Sequence, residues 1–166
     1  MGPIPEEIVE KTWQEVAGFS LDRAKKEMMK IGNRQPDLLA FVTESSREMG
    51  REVRELAIYM FLVVYRIFQE THGKIEKIST EEIIECYEHN EGLLERLGGT
   101  HEKFLDRIAS VQTSRQPYAV KYVVDALTEE DEEREDAVAL TDEQKGFLYL
   151  LLKTVIDVLD KGGMKS

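Results

Sequence analysis

The sequence predicts an all-α protein of about eight helices, arranged as a compact bundle or a short helical superhelix. Three observations lead to that class. The stretch Leu56–Phe68 is apolar at every position except Arg66, is too long for an ordinary strand and contains no turn residue. Only four prolines and eleven glycines interrupt 166 residues, and no stretch alternates clearly between apolar and polar as a strand would. Helix-start and helix-stop residues also recur along the chain at helical spacing.

The first helix is expected to begin near Pro5, with Glu6 and Glu7 at the positive end of its dipole and an apolar face of Ile8, Val9, Trp13 and Val16 or Ala17. Trp13 reads as a partly buried anchor. Gly18 ends this helix, Ser20 caps a second, and Gly32 is expected to end that one. Pro36 opens a third, carrying Leu38, Leu39, Phe41 and Val42, which fades through Ser45 and Ser46 toward Gly50. The central apolar helix is expected from about Glu52 to Thr71. Being apolar nearly all round, it should be buried on most sides. It is shorter than the ~18 residues a membrane span requires.

Ser79 and Glu82 have the spacing of a capping box at the start of a fifth helix, with Asn90 and Gly92 as the expected points of any bend or split. Gly98 and Gly99 close it. Thr100 caps a sixth helix containing Phe104, Leu105, Ile108 and Val111, and Pro117 opens a seventh. An acidic run follows. Thr141 and Gln144 form a second capping box before a Leu-rich last helix, Phe147 to Leu159, that ends at Lys161-Gly162-Gly163.

The two halves of the chain match in order. Glu6-Glu-Ile-Val-Glu10 recurs as Glu81-Glu-Ile-Ile-Glu85, Leu21-Asp-Arg23 as Leu105-Asp-Arg107, and Arg34-Gln-Pro36 as Arg115-Gln-Pro117. The apolar segments 56–68 and 147–159 then correspond. An internal duplication of a four-helix unit is expected, with halves of about 1–74 and 75–166 in a single domain. The two long helices should bury each other, as stacked helical repeats do.

Composition narrows function more than it assigns it. The formal charge is −11, and Glu129–Asp136 alone carries seven acids and one base. Such a surface repels phosphate backbones, which argues against nucleic-acid binding; the acidic run itself reads as a solvated loop or as a dock for a basic protein partner. The single Cys86 cannot form an internal disulfide. The chain opens without a charged-then-apolar leader, so a cytoplasmic protein is expected.

Candidate sites are few. The repeated Arg-Gln-Pro places Arg34 and Arg115 at two helix starts, either as anion ligands or paired structurally with acids such as Asp22 and Asp106. Glu82, Glu85, Cys86 and His89 share helical spacing and could begin a metal site, although no Glu-x-x-His occurs anywhere in the chain. Tyr59 and Tyr65 could line a ligand cavity with Arg66, whose charge must reach water or an acid. No phosphate loop, nucleophile elbow or Cys-x-x-Cys is present, and no cofactor is implied. Two readings follow: a non-enzymatic interaction or regulatory protein, or an enzyme or ligand-binding protein with its site between the two halves.

Overall fold

In the structure, a computed structural model, residues 2–96, 115–128 and 140–165 are described. Of these, 84% are helical, and none is in a strand. The expected sixth helix and the acidic run at 129–136 lie outside the described residues.

Seven α-helices are described: α1 (Glu6–Ala17), α2 (Leu21–Arg34), α3 (Pro36–Ser45), α4 (Arg51–His72), α5 (Thr80–Arg96), α6 (Pro117–Thr128) and α7 (Asp142–Lys165). Local chemistry sets most boundaries. The Ser20 hydroxyl accepts from the Arg23 amide at 3.1 Å, capping α2. Both capping boxes form: Glu82 Oε2 accepts from the Ser79 amide at 2.9 Å, and Gln144 Oε1 accepts from the Thr141 amide at 3.0 Å. Each is reciprocated, by Glu82 N to Ser79 Oγ and by Gln144 N to Thr141 Oγ1. A short 3-10 turn, Arg47–Met49, leads to Gly50, whose φ of 94° needs a residue without Cβ. Gly73, at φ 71°, stops α4 in the same way.

Three boundaries differ from expectation. Helix α2 runs through Gly32 to Arg34; a Cβ on Gly32 would meet Leu39 Cδ2 at 3.0 Å, so this glycine permits α2 and α3 to approach closely and does not end a helix. Helix α5 continues through Asn90 and Gly92, because Asn90 is buried and bonded across to α7. Helix α7 also passes Gly162 and Gly163.

Helices α4 and α7 lie against each other at the centre. Helices α1 and α3 flank α4, α5 and α6 flank α7, and α2 packs on α3. Further contacts cross between the groups: α1 meets α6, α3 meets α5, and smaller contacts join α3 to α7 and α4 to α6. Both central helices are buried on several faces, α4 through Met60–Tyr65 and α7 through Leu148–Ile156. Each fully buried Leu, Val or Phe there is worth about 1.5–3 kcal/mol of transfer free energy. Among the described residues no helix is long and apolar enough to cross a membrane.

Two buried glutamines complete the packing. Gln35 donates to the Glu76 carbonyl at 2.8 Å and accepts from the Ile78 amide at 2.8 Å, holding the segment that leads into α5. Gln116 accepts from the Ile4 amide at 2.8 Å and donates to Asp160 Oδ1 at 2.9 Å, holding the segment that leads into α1. The informative residue of each Arg-Gln-Pro is therefore its glutamine. Proline takes the first helical turn, as expected.

Candidate functional site

Arg66 sits on α4 with its side chain 14% exposed and is surrounded by carboxylates. Its Nη2 lies 3.1 Å from Glu15 Oε1 of α1 and 3.8 Å from Glu70 Oε1 one turn along α4. Its Nη1 lies 3.2 Å from Glu27 Oε2 of α2. The guanidinium carbon stands 5.1 Å from the ring centre of Phe19, which Arg23 covers at 4.1 Å. One cation thus ties three helices together, and its Nε is buried with no hydrogen-bond partner among the described residues.

A cavity of about 190 Å³ opens beside it. Its walls are Glu27, Lys30, Ile31 and Arg34 from α2 and Tyr65, Arg66 and Gln69 from α4. Burial pushes the Tyr65 phenol above its ordinary value, only partly offset by Gln35 and Arg34, so Tyr65 stays protonated at neutral pH. Tyr59 does not line this cavity; it lies at the surface of α4, close enough to act electrostatically on Tyr122 of α6. Tyr65 and Arg66 are brought together, and Tyr59 is not among them. The cavity also lies wholly between α2 and α4, within the first half of the chain.

Arg34 lines the same cavity, but Asp22 occupies the first turn of the same helix, roughly 18 Å away at 1.5 Å per residue, and cannot pair with it. Arg115 is exposed, with Nε 3.6 Å from Asp160 Oδ2. Asp106 lies outside the described residues.

On α5, Glu82 is engaged in the capping box, and Glu85 and His89 are exposed. Cys86 is buried on the side toward α7, with Sγ 4.0 Å from the Thr154 carbonyl and 3.9 Å from Asn90 Nδ2. Among the described residues no three His, Cys, Asp or Glu side chains are grouped to hold a metal ion. Burial, and next the Asp157 carboxylate, push the Cys86 thiol from 9.0 up to about 11. The folded protein therefore keeps this proton while the unfolded chain begins to lose it, so the thiol's contribution lowers stability progressively from pH 9 to about 11. We expect native Cys86 to react with a maleimide at pH 7.5 far more slowly than in the urea-unfolded chain. Equal rates would show that α5 opens freely from α7.

A second opening lies where α1 crosses α6, a groove of about 200 Å³. Val9 and Ala126 line it with aliphatic surface, and Trp13, Tyr118 and Tyr122 supply aromatic surface. Trp13 is 38% exposed and Tyr118 36%, large values for rings of this size inside a concave surface. Tyr122 is mostly buried, and burial pushes its phenol up, with the Tyr59 hydroxyl adding to the shift. Glu6, Glu10 and Asp125 border the groove against one cation, Lys121. Lys121 Nζ is held by Glu6 Oε1 at 3.1 Å, and that contact raises the lysine's pKa. Glu10 and Asp125 have no ion-pair partner among the described residues.

Sequence reasoning reached Trp13 as an anchor and did not single out Tyr118. The available signal was positional. The buried stripe of α1 is Val9, Thr12 and Val16, which leaves Trp13 on the stripe's edge, half out of the core.

The chain matches no family model, no curated protein and no solved structure.

Proposed function

We propose that this protein is a non-enzymatic interaction module, built from two pseudo-equivalent helical halves, that docks a basic segment of a partner protein. The observation that carries this reading is the open groove between α1 and α6, lined by half-exposed Trp13 and Tyr118 together with Glu10 and Asp125, which form no ion pair among the described residues. Half-exposed aromatic rings are common at protein interfaces, where one face is apolar and the rim is wet. The other cavity is a poorer candidate, because its principal charge, Arg66, is already matched by three carboxylates.

The duplicated organisation is supported by burial and by contacts. Buried positions Ile4, Val9, Thr12 and Val16 recur as Ile78, Ile83, Cys86 and Asn90, each 74 residues later. The likeness between Glu6–Glu10 and Glu81–Glu85 is spaced by 75, one residue out of step with that burial pattern. Exchanging α1, α3 and α4 for α5, α6 and α7 also carries the main helix contacts onto one another. Gln35 and Gln116 correspond under the same exchange, each clasping the segment that leads into the other half. On this reading the α1–α6 groove has a counterpart at α3–α5, where Phe41 and Tyr87 meet edge to face at 5.8 Å.

The test is site-specific photo-crosslinking in the native cell. A benzophenone amino acid at Tyr118 is expected to trap a discrete protein adduct, whereas the same group at exposed Met29 of α2 is not. Indistinguishable patterns at the two positions would remove the groove as the docking face.

A further inference from the structure

Resting on that reading of the α1–α6 groove, we infer that the feature it recognises is a single arginine side chain, seated between the faces of Trp13 and Tyr118 with its guanidinium directed at Glu10 and Asp125. The groove supplies what that side chain needs. Its aliphatic lining, Val9 and Ala126, suits the arginine methylenes, and its aromatic lining suits a flat, weakly hydrated cation. Its rim carries three carboxylates against one cation: Lys121 is bonded to Glu6 and also feels the charges of Glu10 and Asp125, but it forms no ion pair with either, so the rim keeps a net negative charge. The chain already uses this chemistry internally, where Arg23 and Arg66 stack on Phe19 beside carboxylates. An acidic or purely apolar ligand would leave Glu10 and Asp125 facing like charge or dry surface.

In the α3–α5 junction that the duplication would make its counterpart, Phe41 and Tyr87 contact each other edge to face, so those two rings are already engaged with one another.

Trp13 is the only tryptophan in the chain, so its fluorescence reports on the groove without any label. The probe is a short Gly-Ser peptide with one central arginine, compared with the same peptide carrying citrulline, a neutral side chain of nearly the same shape. The expected result is a saturable change in Trp13 emission with the arginine peptide, fitting one site per chain, and little change with citrulline. Tyr118→Ala should weaken binding about three- to fivefold, the size of a cation–π contact at a partly exposed site. Glu10→Gln with Asp125→Asn should weaken it further and flatten its salt dependence. These positions are surface-facing, so the variants are expected to keep the wild-type circular dichroism. Equal responses to arginine and citrulline, or arginine binding unaffected by all three substitutions, would overturn the inference. Crosslinking at Tyr118 with no arginine response would leave the docking face standing and reject only the arginine; loss of both would reject the groove altogether.

Discussion

Val64→Asp is expected to leave the protein insoluble or largely unfolded. Val64 is fully buried on α4, within the continuous buried run Met60–Tyr65. Aspartate has nearly the volume of valine, so the substitution opens no large cavity, and the effect isolates the charge. The new carboxylate must either ionise in an apolar interior or remain protonated with few partners, at a cost of several kcal/mol. That is comparable with the whole stability of a typical domain, about 5–15 kcal/mol. Val64→Thr keeps the shape and adds a hydroxyl that can bond to the carbonyl one turn back, so it should fold with a lower Tm. Circular dichroism and size-exclusion chromatography read both. A soluble, fully helical Val64→Asp protein would show that the core has been misplaced.

The second large effect concerns the buried glutamines. Gln35→Leu keeps bulk but leaves the Ile78 amide and the Glu76 carbonyl without their partner. Unsatisfied buried groups cost about 1–3 kcal/mol each, so a loss of about 2–4 kcal/mol is expected in urea unfolding. Gln116→Leu should cost a similar amount, because it strips the Ile4 amide and one bond from buried Asp160. Arg115→Leu, next to it, removes only an exposed contact at 3.6 Å and should cost less than about 1 kcal/mol. If the arginine change proved the costlier of the two, the bonding ascribed to Gln116 would be wrong.

The helical class and most helix starts were legible because they depend on local chemistry. Ser20, Pro36, Ser79, Pro117 and Thr141 satisfy or avoid backbone groups within one turn, and short-range geometry is written in short-range sequence. Gly32, Asn90 and Gly162 misled for the opposite reason. Each looks like a breaker locally, yet Gly32 meets Leu39 and Asn90 bonds to Thr154, partners supplied by other helices. Arg66 stood out as a charge that must reach water or an acid; the acids it meets, Glu15 and Glu27, stand 51 and 39 residues away and could not be named. The groove was the least visible feature. Trp13 and Tyr118 are 105 positions apart, and nothing in either neighbourhood announces the other.

The clasp formed by Gln116 also bears on the order in which the chain acquires its structure. Ile4 is 112 residues from its partner, whereas Ile78 is 43 residues from Gln35. Closing the longer loop costs about 0.8 kcal/mol more in chain entropy. On a ribosome the difference is absolute, since Ile4 has no acceptor until residue 116 has emerged. The segment around Ile4 is therefore among the last parts to be fastened, and pulse-labelled hydrogen exchange during refolding should find the Ile78 amide protected before that of Ile4. A nascent chain that stalls between residues 78 and 116 would have its middle clasped and its first helix docked on α4, with only the segment around Ile4 still loose.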